Sequence, residues 1–130
     1  MTRSRIALVS WTPLIAWCCL IYYLSSIPGD ELTLPSFSGS DKLLHACAYG
    51  MIGWLFSLAW NHSFVRVKAY MLKGFYSAVL FTALFGLSDE WHQLYVSGRT
   101  CSVWDLAADL VGGAAGAFLF LLWRKRSQHD

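Results

Sequence analysis

Charge is what this chain has least of. Of its 130 residues only 14% are Asp, Glu, Lys or Arg, against 56% hydrophobic, whereas an ordinary soluble domain carries about a quarter charged residues. A water-facing globule is thereby excluded and membrane becomes the default class. With a formal net charge of only +2, nucleic acid binding has no support. The cysteines Cys18, Cys19, Cys47 and Cys101 form no CxxC pair, and the adjacent Cys18 and Cys19 could bridge each other only under strain. They are expected to act as small buried apolar side chains, with Cys101 alone in a candidate loop. Internal repeats, low-complexity tracts and an interrupted span are also missing, which argues against a transporter built on inverted repeats. The first apolar run follows Arg3 and Arg5 as a secretory signal would, but it is too long and no small-x-small cleavage site follows. One domain over residues 1–130, without a soluble module, is expected.

What is present is four apolar runs, at about residues 6–27, 41–60, 69–88 and 103–123, each near the length needed to cross a hydrocarbon core of roughly 30 Å. The fold class expected is therefore all-α, an integral membrane four-helix bundle. The charges that remain are sorted by side. Arg3, Arg5, Arg66, Lys68, Lys73, Arg124, Lys125 and Arg126 fall at the two ends and the middle connection, joined only by Asp130. Asp30, Glu31, Asp41, Asp89, Glu90, Asp105 and Asp109 lie on the other two connections and the span ends facing them, against Lys42 and Arg99. This is the positive-inside pattern of an even number of crossings, with both termini cytoplasmic in a multi-pass protein of the inner (cytoplasmic) membrane.

Polar groups at the outer ends of the spans are spaced to share faces. Asp41, His45 and Tyr49 stand four apart on span 2, with Gly53 continuing the stripe. On span 4, Asp105, Asp109, Gly112 and Gly116 follow a 4-3-4 spacing, so two carboxylates lie on the close-packing glycine face. Asp109 then sits about 10 Å below the interface by helical rise, where an ionised carboxylate needs a partner or a proton. Glu90 and Gln93 share a face at the end of span 3, whose helix is expected to run on to Tyr95, and Arg99 follows in the loop. Ser102 is a candidate N-cap with Asp105 three residues on. An outer pocket of Asp41, His45, Glu90, Gln93, Arg99, Asp105 and Asp109, from spans 2, 3 and 4, is the predicted site. Its acidic excess calls for a proton, a cation or a basic substrate group.

Taken together, Asp41-Lys42-x-x-His45-x-x-x-Tyr49, Asp89-Glu90-x-x-Gln93-x-x-x-x-Gly98-Arg99, Asp105 and Leu110-x-Gly112-x-x-x-Gly116 resemble the VanZ-like family of small bacterial membrane proteins. The Leu24-Ser25-Ser26-x-Pro28-Gly29 ending of span 1 is similar too, so the resemblance covers about residues 20–117. Two departures stand out: Asp109 replaces the family's usual Asn, adding an ionisable group, and Ser97 stands where Pro is common. The resemblance implies a cell-envelope protein related to one associated with resistance to the glycopeptide teicoplanin.

Three functions fit these residues. In the first, the pocket engages the polar head of a lipid-linked envelope precursor or a glycopeptide. Arg99, beside the N-terminal end of helix 4, is then the anion seat, and Asp41, His45 and Glu90 hold sugar or amine groups. In the second, the protein is an enzyme, with His45 as general acid or base, Asp41 orienting it and Glu90 as second titrating group. The same Asp/Glu/His set could hold a divalent cation, although no metal or cofactor is assigned and no nucleophile is marked. In the third, the polar groups only hold helices together, with Arg99 paired to Glu90 or Asp105. Tyr49 is read there as an interfacial aromatic, His92 as a solvated neighbour of Gln93, and Lys42 as an anchor to head groups. Membrane lipids are the general partner, and Gly112 and Gly116 offer a face for pairing with a second copy.

Overall fold

A computed structural model describes residues 3–31, 39–64 and 69–127. The irregular loop predicted over residues 28–40 is described only at its two ends. The basic turn bearing Arg66 and Lys68 lies outside the described residues, as do His129 and Asp130. Four helices make up the chain: α1 (Arg3–Ser25), α2 (Ser40–Phe64), α3 (Ala69–Gln93) and α4 (Val103–Arg126). At 23 to 25 residues each they are about 35 Å long, and all four are long and apolar enough to cross a membrane. Helix α3 stops at Gln93, two residues short of the expected Tyr95, where Tyr95 N–H turns back onto the His92 carbonyl.

The helices run up and down. The start of α1 meets the end of α2, where Trp11 Nε1 donates to Ser63 Oγ at 2.9 Å and His62 Nδ1 lies 2.6 Å from Ser10 Oγ. The ends of α1 and α3 meet through Ser25 and Asp89, and the starts of α2 and α4 through His45 and Asp109. One end of the bundle therefore gathers the acidic residues. The opposite end holds both chain termini and the Arg124, Lys125, Arg126 run. Large apolar side chains such as Leu8, Leu80, Val111 and Phe118 face outward, as a hydrocarbon solvent requires. Cys19 and Cys47 do so as well, which corrects the expectation that they are buried.

Small residues set how close the helices come. Helices α2 and α4 are in the most extensive contact, α1 touches α3 only slightly, and α1 and α4 do not meet among the described residues. A Cβ placed on Gly112 would run into the Ala46 backbone, one on Gly116 into the Gly50 carbonyl, and one on Gly53 into the Gly113 carbonyl. Without lipid-excluded hydrophobic drive, such backbone approach is what dispersion between helices needs. The face expected to pair with a second copy, Gly112 and Gly116, is thus already covered by α2 of the same chain.

Helix α1 holds on differently. Pro13 within it removes the bond that its nitrogen would have made to the Val9 carbonyl. Thr12 Oγ1 donates to that carbonyl at 2.7 Å instead, satisfying a group that lipid could not. Trp17 Nε1 then reaches across to the Ala48 carbonyl at 2.9 Å, and Leu14 and Ile21 supply the buried contacts to the core.

Candidate functional site

Helix starts and ends bring the acidic residues together at one end of the bundle. The four-residue spacing of α2 aligns Asp41, His45 and Tyr49 on one side of the helix, and His45 meets Asp109 of α4 while Tyr49 packs on Phe85 of α3. His45 Nδ1 lies 2.9 Å from Asp109 Oδ1, and His45 Nε2 is 3.9 Å from Asp41 Oδ1, so the imidazole stands between two carboxylates. Asp109 is wholly buried. Lys42 does not reach outward as an anchor: its ammonium bridges Asp41 Oδ2 at 3.0 Å and Asp105 Oδ1 at 2.7 Å. Below His45, the Tyr49 ring is near-parallel to the imidazole at 6.3 Å and packs on Phe85. Tyr49 is a buried core residue rather than an interfacial one.

Helix α3 adds two buried carboxylates that point to different partners. Adjacent residues on a helix diverge by about 100°. Asp89 faces α1, where its Oδ2 accepts from Ser25 Oγ at 2.8 Å and from Gln93 Nε2 at 3.1 Å. Glu90 faces α4, where its Oε2 accepts the Ser102 backbone N–H at 2.7 Å. Ser102 is indeed the N-cap of α4, but its side chain makes no cap bond. The carboxylate from α3 takes the role that the expected capping box would have filled. Cys101, in the loop, lies beside the same Glu90, whose carboxylate pushes the thiol upward, with desolvation adding to the effect.

Arg99 is neither paired with Glu90 nor with Asp105. Its Nε donates to the Ile27 carbonyl at 3.2 Å and its Nη2 to the Leu24 carbonyl at 2.9 Å, so it closes the C-terminal end of α1, where free carbonyls collect partial negative charge. The loop before it lies against α1's exit. Gly98 has φ +70°, a left-handed conformation suited to glycine, and a Cβ on Gly29 would strike the Gly98 carbonyl. Gly29 N–H donates to the Ser97 carbonyl at 3.0 Å. His92 sits beside this junction, stacked on Tyr22 and 3.0 Å from Ser26 Oγ, rather than solvated next to Gln93.

Two cavities meet here. A polar one of about 170 Å³ is lined by Asp41, His45, Gln93, Arg99, Thr100 and Asp105. An apolar one of about 440 Å³ runs between α1 and α2 past Trp17, Ile21, Leu24, Leu44, Ala48 and Met51. They share Asp41, His45, Gln93 and Arg99. The pocket expected from spans 2, 3 and 4 therefore has a fourth wall, α1. Ser25 and Asp89, not among the predicted pocket residues, line the apolar cavity as well, and the four-residue spacing of Asp89 and Gln93 is a usable signal for them.

At this end of the bundle five buried polar atoms lack a hydrogen-bond partner among the described residues: Tyr49 Oη, Asp89 Oδ1, Glu90 Oε1, Asp105 Oδ1 and Asp109 Oδ2, of which Asp105 Oδ1 has the Lys42 ammonium at 2.7 Å. Tyr49 and Asp89 interact with each other electrostatically. One donor atom from each of His45, Glu90 and Asp109 lies within 4.8 Å of the others, and the same holds for Asp41, His45 and Asp105. Either set has the chemistry to hold a cation or to share protons.

Fold and site together define a small polytopic α-helical membrane protein with an ionisable cluster buried at one end of its bundle. Its sequence matches the VanZ/LLP1 family over residues 10–124, and the chain belongs to that family. Comparison with curated proteins and with solved structures gives no match.

Proposed function

We propose that this VanZ-family protein binds a lipid-anchored molecule of the bacterial envelope at the outer face of the inner membrane, with both termini in the cytoplasm. The observation that carries this reading is the junction of an apolar cavity between α1 and α2 with a polar chamber through four shared residues. An acyl or isoprenoid chain suits the first and its polar head the second, since ligand sites combine apolar walls with a few placed polar groups. The orientation rests on the basic end formed by Arg5 and the Arg124 to Arg126 run. The family resemblance adds a role in glycopeptide susceptibility, teicoplanin above all. In this reading one copy suffices, because α2 already covers Gly112 and Gly116.

The test is binding of a polyprenyl-linked head group to the full chain in neutral nanodiscs. Leu44→Trp, which fills the apolar cavity, and Asp41→Asn, which alters the chamber, should each weaken binding by about tenfold, or about 1.4 kcal/mol. Parent-like affinity in both variants would sink the proposal.

A second reading, catalysis, is favoured by one feature: His45 is held between Asp109 and Asp41 as an oriented acid or base would be. Turnover of such a lipid by purified protein, lost in His45→Ala, is its signature.

A further inference from the structure

The carboxylates that line the chamber and those buried beneath it are not equally provided for. Asp41 and Asp105 share the Lys42 ammonium. Asp109 and Glu90 lie deeper, 0% and 2% exposed. Each uses one oxygen, Asp109 Oδ1 toward His45 Nδ1 and Glu90 Oε2 toward the Ser102 N–H. The second oxygen of each, Asp109 Oδ2 and Glu90 Oε1, is buried with no hydrogen-bond partner among the described residues. In a bilayer interior an orphaned carboxylate oxygen is strongly unfavourable, so two in one cluster call for a shared partner.

Gly86, one turn before Glu90 on α3, lies against the unpartnered Asp109 oxygen. A Cβ there would stand 2.9 Å from Asp109 Oδ2. One donor atom from each of His45, Glu90 and Asp109 lies within 4.8 Å of the others. The outer trio of Asp41, His45 and Asp105 is a poorer candidate because the Lys42 ammonium already stands between its carboxylates.

We propose that His45, Glu90 and Asp109 form a seat for a divalent cation of the zinc or manganese class, on which the phosphate of a lipid head group is held. One imidazole with two carboxylates suits those ions better than calcium, which takes six to eight oxygens. The second half of the proposal rests on the lipid-binding reading above. Among the described residues, the two cations that border the chamber are already engaged. Arg99 has turned its Nε and Nη2 to α1 carbonyls, Lys42 is held by two aspartates, and the surrounding carboxylates would repel an anion unless a metal stood between them.

Binding of Zn²⁺ and Mn²⁺ alone to the chelator-stripped full chain, in phosphatidylcholine nanodiscs, tests the seat. The expected result is one cation per chain. Asp109→Asn and Glu90→Gln, both near-isosteric, should weaken it by about tenfold or more, while Asp30→Asn, exposed at the loop, leaves it unchanged. Helical circular dichroism and an unaltered elution volume establish that the variants are folded. In a second arm, a long-chain polyprenyl monophosphate should bind about tenfold more tightly with metal than in chelator, and the parent polyprenol should show no response. No stoichiometric cation, or equal affinity in both carboxylate variants, overturns the seat. If the monophosphate then still binds in chelator, the lipid reading survives alone. A cation bound with parent-like dependence on Asp109 and Glu90, but no polyprenyl ligand under any condition, supports the seat and removes the lipid.

Discussion

At the scale of single residues the site is a set of side chains whose partners come from other helices, and loss of one partner strands the other. Ser25→Ala would leave Asp89 Oδ2 with Gln93 as its remaining donor. The expected cost is about 1 kcal/mol or somewhat less, read as reversible unfolding in mixed micelles. Cys101 is a reporter for Glu90. Because the carboxylate pushes its thiol upward, less thiolate is present near pH 8 than at an ordinary exposed cysteine, and alkylation is slower. In a chain whose Cys18, Cys19 and Cys47 are replaced by Ala, Glu90→Gln should lower that pKa and speed maleimide reaction at pH 7 to 8. An unchanged pH–rate profile would contradict the contact.

At the scale of helices, the glycines of α4 and α2 decide the geometry. Gly116→Ala and Gly53→Ala each push a methyl into backbone of the opposite helix. Forced separation of α2 from α4 should cost about 1 to 3 kcal/mol and part His45 from Asp109, whereas Leu119→Ala, on the lipid-facing side, should change stability little. Thermal unfolding of the three variants checks the ranking. Much of this level was readable before any coordinates. Helical spacing alone puts Asp41, His45 and Tyr49 on one face and Asp105, Asp109, Gly112 and Gly116 on another, and His45 does meet Asp109, whereas Gly112 and Gly116 pack on Ala46 and Gly50 and Tyr49 on Phe85 of α3. What could not be read is where a loop residue reaches. Arg99 binds α1 carbonyls, which any helix end supplies whatever its sequence, so no pattern announces them. Nor could spacing tell that Asp89 and Glu90, neighbours in the chain, serve different clusters, or that Ser25 completes one of them.

At the scale of the whole molecule, the two ends differ in charge, and the proposed sidedness rests on that. A membrane-impermeant maleimide should label Cys101 in intact cells and should fail to reach a cysteine placed at Ser127 until the membrane is permeabilised. The reverse pattern would invert the orientation proposed here. The large groove between α1 and α2 opens on the flank of the bundle, among half-exposed side chains such as Leu20, Leu24 and Met51. A guest entering that way never has to leave the bilayer. It would arrive by diffusion in two dimensions, and occupancy would follow its mole fraction in the surrounding leaflet rather than any aqueous concentration. Diluting the membrane with inert lipid, at constant total guest, should therefore empty the chamber.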